Sequence, residues 1–550
     1  MSKHHLGVAA LTGALVSLTL PAAGGAAAAT LRVCPHGCVY NQVSAAVAAA
    51  NSGDTITVAP GTYAGGFAIT KSLSVAGAGA GRTIIKGGGP VITVGTFGTD
   101  SEPTVSISGV TVTGGVTNSS DQSEAFFGDP NVWAIGGGIY IPFADGFTPG
   151  ATLTVTDSVI SGNQVTPTSS APIGPLCPGN VPCPFAEAAG GGIGDEGNVT
   201  LVRTAVTGNR ASGGTTSDAD GAGIWIAHAG TLTMRDSTVS GNLARTSDPN
   251  GRSTDGAGIF AVQQATVTLS DSSVSANTAS LSSSFPFDLG GGNFLEVSAH
   301  AGGIHLSDGD TTVISDSHID NNAVFASDPN GQLEVFDAGL CDCGQGTLSM
   351  RDSTVSGNTL TAVMASNTDV FADTGYPTGA FEFDGPATVS DTRIENNATT
   401  VIGLDGPIVA GGAVNAFADP GVGPGLITDS TISGNTVRAT SPVAATILGG
   451  GIVVAGSVEL RDDTVKANTE KVAAPAGAAQ GGGIWVGTFP GPPFTGQLTA
   501  KDVTVTGNVL SGSNPSILLQ GGGLYTANPV TLTDTTITRN TPNNCTGATC

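Results

Sequence analysis

Residues 221–242 read GAGIWIAHAGTLTMRDSTVSGN, and this stretch carries the pattern that decides the fold. It begins with a glycine-rich turn, continues through the alternating segment 231–236 and ends with the heptapeptide 236–242. β-branched and apolar residues alternate with polar ones at a period of two, which is typical of strands, and no helical period is present. Ile224 and Val239 are predicted to point inward, and Trp225 outward. Three short strands in such a unit predict one coil of a solenoid whose successive coils pair in parallel.

The heptapeptide recurs along the chain and always closes on asparagine. Asn163 and Asn540 are 377 residues and ten intervals apart, which gives a mean spacing of 37.7 residues. Because each asparagine falls at the same corner of a coil, we expect the stacked amides to bond to one another and to the backbone. Glycine runs before most copies fit corners with dihedral angles that only glycine tolerates. The predicted asparagine ladder consists of Asn163, Asn209, Asn242, Asn277, Asn322, Asn358, Asn397, Asn435, Asn468, Asn508 and Asn540.

The link between each asparagine and the next glycine run varies in length. It has 26 residues at 164–189 but 11 at 210–220. We therefore predict that these links are loops that emerge along one edge of the solenoid, with 164–189, 278–300 and 359–378 among the longest. A row of loops beside a flat parallel sheet forms a shallow groove, which favours an extended polymer as partner.

The two ends of the chain differ from the repeats. Residues 1–29 have a polar start, an apolar run and an A-x-A site, as in a secretory signal peptide, so we expect a secreted, extracellular chain that starts at Thr30. A membrane anchor is the alternative, but the apolar run, residues 6–20, is shorter than the roughly 20 residues of a span. No later segment is apolar enough to span a membrane. Residues 41–51 predict a short amphipathic helix that caps the first coil.

These signals predict one elongated domain after the signal peptide. Residues 30–540 form a single solenoid, with the cap and first coils in 30–95 and the repeat coils with their loop inserts in 96–540. Residues 541–550 form a tail closed by a disulfide.

The eight cysteines fall into four local pairs. An even count in an exported chain predicts disulfides that pin short loops or ends. Zinc is the alternative, but the pairs lie far apart in sequence and no pair of nearby histidines accompanies them. The predicted disulfides join Cys34 with Cys38, Cys177 with Cys183, Cys341 with Cys343 and Cys545 with Cys550.

The excess of acidic residues limits the classes of molecule that the chain is expected to bind. The chain has 43 Asp and Glu against 18 Lys and Arg, a net charge of −25. Nucleic acids and anionic membranes need basic residues, so both are excluded as expected partners. A polyanionic substrate would need a bridging cation such as Ca²⁺. We expect a monomer.

The chain resembles extracellular right-handed parallel β-helix proteins of the pectate-lyase-like superfamily. VSAAVAAANSGDTITVAPGTY (43–63) and GAGAGRTIIKGGG (77–89) are similar to the opening of these proteins, and the GGGI…DSTVSGN units are similar to their repeats. The units also resemble the GGAI/FxxN repeats of polymorphic outer-membrane proteins, with Val or Ile in place of Phe. The resemblance implies an all-β right-handed parallel β-helix with a short N-terminal capping helix. Its members include lyases, polygalacturonases, epimerases, tailspikes and adhesins, so it implies no single activity.

Known catalytic motifs of this superfamily are incomplete here. Polygalacturonase-like enzymes carry NTD, DD, GHG and RIK motifs in that order. This chain has Asn367-Thr368-Asp369 and Asp462-Asp463 but no GHG, and Asp463 stands where the repeat has Ser. We interpret these pieces as chance matches. His228 and His318 are predicted to be isolated surface residues.

An alignment of the coils on the inward Ile yields one candidate site. Asp220, Asp255 and His300 stand four residues before the Ile in three consecutive coils, which predicts a column with steps of roughly 5 Å. Paired carboxylates at that distance suit a retaining glycosidase. A Ca²⁺ ion bound by Asp218, Asp220 and Asp255 is a second interpretation. A third is that acidic residues before glycine only form turns.

The residues that follow the inward Ile form a second column in the same coils. They are Trp225, Phe260 and His305, which we expect to point outward and to stack on sugars. The alternative is a stacked ring ladder that stiffens the sheet.

Three functions remain open at this point. The leading hypothesis is a secreted β-helix that binds extracellular polysaccharide or cell-surface material through a loop-lined groove, with calcium as the candidate cofactor. The alternatives are a glycoside hydrolase or lyase of the same superfamily, and a structural or adhesive surface rod.

Overall fold

The computed structural model describes most of the chain after the predicted signal peptide. The described residues are 28–99, 102–119, 132–144, 148–168, 186–213, 218–247, 253–283, 297–307, 309–330, 333–344, 346–365, 377–418, 423–488 and 495–550. They form a right-handed parallel β-helix, as the repeats predict. Each turn of the helix contributes one strand to each of several parallel sheets, which we name A to F.

Three long sheets run through the whole solenoid, and all their strand pairs are parallel. Sheet A consists of Thr30–Val33, Thr55–Val58, Ser74–Gly77, Thr104–Ser108, Thr152–Thr156, Asn198–Val202, Thr231–Arg235, Thr266–Ser270, Thr311–Ser315, Thr347–Arg351, Ala387–Ser390, Gly425–Thr428, Ser457–Arg461, Gln497–Lys501 and Val530–Thr533. Sheet B consists of Gly61–Ala64, Thr83–Lys86, Thr111–Thr113, Val159–Ser161, Ala205–Thr207, Thr238–Ser240, Ser273–Ser275, His318–Asp320, Thr354–Ser356, Arg393–Glu395, Thr431–Ser433, Thr464–Lys466, Thr504–Thr506 and Thr536–Thr538. Sheet C consists of Phe67–Ile69, Ile92–Val94, Ile139–Ile141, Ile193–Asp195, Ile224–Ile226, Ile259–Ala261, Ile304–Leu306, Leu340–Asp342, Phe381–Phe383, Val414–Ala416, Ile452–Val454, Ile484–Val486, Leu524–Thr526 and Cys545–Thr546.

The links between asparagine and glycine run contain further strands. Sheet D consists of Val116–Thr117, Gln164–Val165, Arg210–Gly213, Leu243–Thr246, Thr278–Ser282, Ala323–Asp328, Thr359–Met364, Ala398–Gly403, Thr436–Thr440, Thr469–Ala473 and Val509–Gly512. Sheet E consists of Val132–Ile135, Ala186–Ala189, Asp218–Asp220, Ser253–Asp255, Ser298–His300 and Glu334–Phe336. Sheet F takes the place of sheet E in the later coils and consists of Ile408–Ala410, Ala444–Leu448, Ala476–Gln480 and Ile517–Gln520.

The links are therefore not simple loops, and the prediction of three strands per coil was wrong. The repeat unit of three strands supplies sheets C, A and B, and the link supplies sheet D and sheet E or F. The residues predicted as the loops 164–189 and 278–300 begin and end in strands of sheets D and E. These strands were missed because their sequences share no motif and the segment between them varies in length.

The interior is divided into two cores. Sheets A, B and C enclose a continuous core of Ile, Val and Leu side chains, with Ile224, Leu232 and Val239 from a single coil. Sheets D and E or F enclose a second core that is rich in alanine, such as Ala219 and Ala244. A coil buries its apolar residues only between its neighbours, so the stacked coils share these cores.

The asparagine ladder lies at the corner between sheets B and D and is buried. In a typical step, the backbone N–H and the side-chain Nδ2 of Asn277 both donate to Oδ1 of Asn322, each at 3.0 Å. Nδ2 also donates to the carbonyl of Val239 in the preceding coil at 3.0 Å. Oδ1 of Asn277 in turn accepts from the N–H and Nδ2 of Asn242, at 3.0 and 2.9 Å. Each amide is therefore saturated, and the same bonds join the eleven asparagines from Asn163 to Asn540.

The corner between sheets A and B explains why the first two positions of the heptapeptide are usually aspartate and serine or threonine. Its first residue adopts a left-handed backbone, with φ of 48° at Asp236 and 47° at Asp271, and aspartate tolerates this region better than most residues. Its second residue forms a ladder of hydroxyls, in which the N–H of Ser237 donates to Oγ of Ser272 at 3.2 Å. Sequence reasoning did not identify this second ladder.

The N-terminal end is covered by the helix α1, Val43–Ala49, which buries Val43, Ala46 and Val47 against the first strands. The capping helix is therefore confirmed. At the other end, Cys545–Thr546 pairs with Leu524–Thr526 and adds a last strand to sheet C. Within the described part of the chain, no helix is long and apolar enough to cross a membrane.

Candidate functional site

The outer faces of sheets E and C meet at a concave angle, which we call the trough. Each E strand is joined to the next C strand by the glycine-rich corner, where Gly221 has φ of +50° and Gly256 +49°. A Cβ atom at Gly221 would lie 2.8 Å from the backbone and Cβ of Trp225, so this corner favours glycine. Ala301 takes the same corner position one coil after Gly256, with φ of 44°. The bend brings outward-facing side chains of the two sheets into contact.

The strand register places the two predicted columns on the walls of the trough. On sheet E, Asp220 is paired with Asp255, and Asp255 with His300. On sheet C, Trp225 is paired with Phe260, and Phe260 with His305. Both alignments made on the inward Ile are therefore correct in register.

The columns meet at Asp255. Oδ1 of Asp255 lies 3.1 Å from Nδ1 of His300 and 3.6 Å from Nδ1 of His305. The backbone N–H of Asp255 donates to Oδ1 of Asp220 at 3.2 Å. Two carboxyl groups and two imidazoles thus lie within three consecutive coils.

The surroundings of Asp220 and Asp255 shift the pKa values of these two carboxyl groups in opposite directions. Burial raises the pKa of Asp220 well above its usual range, and the negative charges of Asp255 and Glu187 raise it further. Burial also acts to raise the pKa of Asp255, but the neighbouring His300 and His305 outweigh it and hold this pKa below its usual value. Burial lowers the pKa of His305 to about 3, with Asp255 opposing this effect and His300 adding to it. The surroundings thus favour the protonated form of Asp220 and the ionised form of Asp255.

The trough opens at its N-terminal end into a cavity of about 500 Å³ on the outer face of sheet C. Aromatic, proline and hydroxyl side chains line it, among them Phe97, Tyr140, Pro142, Thr93 and Thr96. Phe97 and Thr93 are partly exposed and Thr96 is exposed.

Two titratable residues lie at the same end of the trough. Sequence reasoning missed Glu196 and placed His228 wrongly. The hydroxyl of Tyr140 donates to Oε2 of Glu196 at 3.0 Å, and Nδ1 of His228 lies 3.0 Å from Oε1 of the same carboxylate. His228 also contacts the ring of Phe143 at 4.7 Å. The prediction of an isolated, exposed His228 was therefore wrong. His318 is exposed as predicted, but it bonds to Oγ1 of Thr354 at 2.9 Å.

Of the three rings predicted to point outward on sheet C, Trp225 and His305 are buried and Phe260 is partly exposed. Trp225 and His305 retain 4% and 5% of their accessible surface. They do face away from the main core, but the concave bend packs them against sheet E, where Trp225 joins Ile135, Tyr140 and Ala189 in a small apolar cluster. Strand alternation alone cannot reveal this, because it specifies the face of a sheet and not what covers that face.

The predicted calcium ligands separate into different contacts. Asp218 accepts a hydrogen bond from Ser253 at 3.2 Å, and Asp220 accepts from the backbone of Asp255. Among the described residues, Asp255, His300 and His305 form a group whose ligand atoms all lie within 4.8 Å of one another, and so do His305, Cys341 and Cys343.

Further buried acids continue along the trough and were also missed. Asp337 and Glu382 are buried beyond His305, and burial raises the pKa of both well above the usual range. Glu187 lies beside Asp218 on sheet E, and its pKa is likewise raised by burial and then by neighbouring carboxyl groups. The alignment on the inward Ile would have found Glu187 and Glu382, because they occupy the positions of Asp218 and Trp225 in other coils.

The polygalacturonase-like motif fragments have no catalytic setting in the described residues. Asp463 replaces a serine in the hydroxyl ladder and accepts hydrogen bonds from the N–H of Ser430 at 2.8 Å and of Arg461 at 3.0 Å. Asn367-Thr368-Asp369 lies outside the described residues.

In three of the four predicted pairs, the two cysteines lie at disulfide distance. The structure joins Cys34 with Cys38, Cys341 with Cys343 and Cys545 with Cys550, with Cα–Cα distances of 5.6, 5.3 and 6.2 Å. The fourth pair is not confirmed, because Cys177 and Cys183 both lie outside the described residues. A disulfide between Cys177 and Cys183 therefore stays a prediction from the sequence.

Comparison with known proteins yields two solved structures of interest. The A-module of mannuronan C-5 epimerase AlgE6 from Azotobacter vinelandii matches 91% of this chain and 91% of its own length, at 12% identity and a TM-score of 0.25. The A-module of mannuronan C-5 epimerase AlgE4 from the same organism matches 90% of this chain and 88% of its own, at 11% identity and a TM-score of 0.23. No family model and no curated protein matches the chain. Such weak values carry no argument about activity, so the function must be argued from the trough itself.

Proposed function

We propose that this chain is an extracellular β-helix protein that binds polysaccharide, and that the glycan enters the trough at the cavity beside Tyr140. The observation that carries the proposal is the lining of this cavity. Sugars present apolar C–H faces and hydroxyl groups, and they are bound by aromatic faces next to polar groups in a concave site. Phe97, Tyr140 and the threonines Thr93 and Thr96 supply both kinds of contact. The signal-like residues 1–29 support export.

A contrast within the solenoid supports a functional origin of the trough. Sheets E and F occupy the same place in the coil, but their outer faces differ. Sheet E presents Glu187, Asp220, Asp255 and His300, whereas sheet F presents uncharged residues such as Thr446, Ala478 and Leu518. Because coils with sheet F form without charged residues at this place, the fold does not require them in sheet E.

The charge of the chain favours one class of glycan. The protein carries a net charge of −25, so a polyuronate would be repelled unless a cation bridged the two. We therefore expect neutral glycans to bind better than polyuronates in the absence of divalent cations.

The test is a binding titration with the purified protein against a panel of soluble glycans, including β-glucan, xylan, galactan and a polyuronate with and without Ca²⁺. The ring of Phe97 is partly exposed in the cavity, so Phe97→Ala should weaken binding of the best neutral glycan by about tenfold. Tyr525→Ala is the matched control, because Tyr525 is a partly buried ring in the same column of sheet C, far along the rod. The proposal is wrong if no glycan binds to the folded protein, or if the two variants weaken binding equally. Binding to cells without any glycan dependence would favour an adhesive rod.

A second function, glycoside hydrolysis, is favoured by one observation. Asp220 and Asp255 are carboxyl groups on adjacent coils, and retaining glycosidases hold their two carboxyl groups about 5 Å apart. The same glycan panel should then release reducing ends, and Asp220→Asn should abolish the release while glycan binding persists. Binding without new reducing ends would leave the binding function alone.

A further inference from the structure

We propose that Asp255, His300 and His305 form a binding site for a divalent transition-metal ion such as Zn²⁺. The proposal does not rest on glycan binding, and it differs from the calcium site predicted from the acidic residues Asp218, Asp220 and Asp255.

The spacing of the three side chains fits such an ion. Zinc bonds of about 2.0–2.1 Å in a tetrahedral arrangement place two ligand atoms about 3.3 Å from each other. Oδ1 of Asp255 lies 3.1 Å from Nδ1 of His300 and 3.6 Å from Nδ1 of His305. All three ligand atoms lie within 4.8 Å of one another, so only a small side-chain rotation is needed to surround one ion.

The polar atoms of the cluster are not satisfied by hydrogen bonds. Within the described residues, Oδ1 of Asp255, Nδ1 of His305 and Nε2 of His300 are buried without a hydrogen-bond partner. Buried polar atoms in folded proteins nearly always have a partner, and each exception calls for an explanation. The His305 side chain is only 6% exposed, and its Nδ1 faces the Asp255 carboxylate without making a hydrogen bond to it. A cation between these atoms would satisfy both.

The scaffold holds the three ligands in place. Asp255 and His300 are paired in sheet E. His305 lies in the strand Ile304–Leu306 of sheet C, which follows His300 after one corner. The ring of His305 stacks on Phe260 at 4.9 Å, and that of His300 on Phe336 at 5.0 Å. The two imidazoles are nearly perpendicular, at 86°, so they approach the carboxylate from different directions. Rigid support of this kind keeps metal ligands in their binding geometry.

The ligand types determine the class of ion. Calcium and magnesium prefer oxygen ligands, whereas two imidazoles and one carboxylate suit Zn²⁺ and other first-row transition metals. Three protein ligands leave at least one coordination position for water or for an oxygen atom of a ligand in the trough. The neighbouring sulfurs of Cys341 and Cys343 are paired with each other in the structure and do not enter this ligand set.

The first experiment uses the full-length exported protein, stripped with a chelator and titrated with Zn²⁺, Co²⁺ and Ca²⁺ by calorimetry. We expect one equivalent of Zn²⁺ or Co²⁺ to bind and Ca²⁺ not to compete. Bound Co²⁺ should give the intense visible absorption of a four- or five-coordinate N/O site, whereas a loosely held octahedral ion gives only weak bands. Zn²⁺ should also raise the melting temperature, because an ion that binds only the folded state stabilises it.

Three variants assign the site, and one controls for surface binding. Asp255→Asn, His300→Gln and His305→Gln should each weaken Zn²⁺ binding by at least about tenfold, the smallest loss known even for outer partners of metal ligands. His318→Gln should leave binding unchanged, because His318 is an exposed histidine on sheet B. The proposal is overturned if no stoichiometric binding occurs, if Co²⁺ shows only octahedral bands, or if all three variants bind as the parent does. If a variant fails to fold, the Co²⁺ spectrum of the parent protein decides alone.

Discussion

Two corners of the same coil use buried polar groups in opposite ways. At the asparagine ladder each amide is saturated and the same residue recurs from Asn163 to Asn540. In the trough the residues differ from coil to coil, and several buried polar atoms of Asp255, His300 and His305 have no hydrogen-bond partner among the described residues. The difference indicates that the ladder maintains the fold, whereas the trough tolerates a cost in stability that only binding would offset.

The largest effect should come from breaking the ladder in the middle. Asn277→Ala removes the acceptor for two donors of Asn242 and leaves the carbonyl of Val239 without its partner. We expect a loss of about 3 kcal/mol, because buried groups without partners cost roughly 1–3 kcal/mol each. The measurement is chemical denaturation combined with hydrogen exchange of the neighbouring coils.

The matched control for this prediction is Asn540→Ala at the end of the same ladder. Asn540 makes the corresponding bonds to Asn508 and Val505, but it is 8% exposed whereas Asn277 is fully buried, so its loss should be about half as large. Equal losses at both positions would show that the ladder is not a cooperative element of the interior.

The second largest effect is a pH dependence of stability. It should come from the buried carboxyl groups, because the amides of the asparagine ladder do not titrate. Burial raises the pKa of Asp195 to about 8, and its Oδ1 accepts from the N–H of Gly197 at 2.8 Å. A raised folded-state pKa means that its stabilising contribution is complete below the unfolded-state value near 4 and is lost as the pH rises through about 8. Asp195→Asn keeps the acceptor and should reduce the loss of stability between pH 5 and pH 6.5 by roughly 2 kcal/mol.

The comparison for Asp195 is the exposed Asp271 at the corner between sheets A and B. Asp271→Asn makes the same chemical change at a carboxyl group in contact with solvent, so the difference between the two pH profiles measures the contribution of burial at Asp195. The explanation fails if the two variants have the same pH profile.

The smallest effect tests the backbone beside the ladder. The residue before each ladder asparagine is left-handed, with φ of 63° at Gly241 but also 55° at Ala276 and 54° at Ala467. Non-glycine residues are strained there, so Ala276→Gly should stabilise the protein by about 0.5–1 kcal/mol, measured by denaturant unfolding. Gly241→Ala should destabilise it by about the same amount, and a gain there would contradict the argument.

The sequence predicts the regular parts of the coil better than its function. The fold class, the asparagine spacing and the register of Asp220, Asp255 and His300 follow from the alignment, since every coil must match its neighbours. The strands of sheets D, E and F have no shared motif, because their cores need only small or apolar residues at alternate positions. The bend between sheets E and C was missed for a different reason. It arises from the left-handed backbone of single corner residues, such as Gly221 and Ala301, and it brings Trp225 and His305 against the neighbouring sheet E.

The direction of the ladder has a consequence for how the chain is assembled during synthesis. Each asparagine donates to the asparagine that follows it in the chain, so a coil completes the bonds of the coil made before it. The newest coil always presents an amide whose acceptor has not yet emerged, and α1 already covers the opposite end. We therefore expect the coils to add in chain order from the first coil onward. The ladder ends at Asn544, whose Oδ1 accepts from the N–H of Asn540 at 3.1 Å.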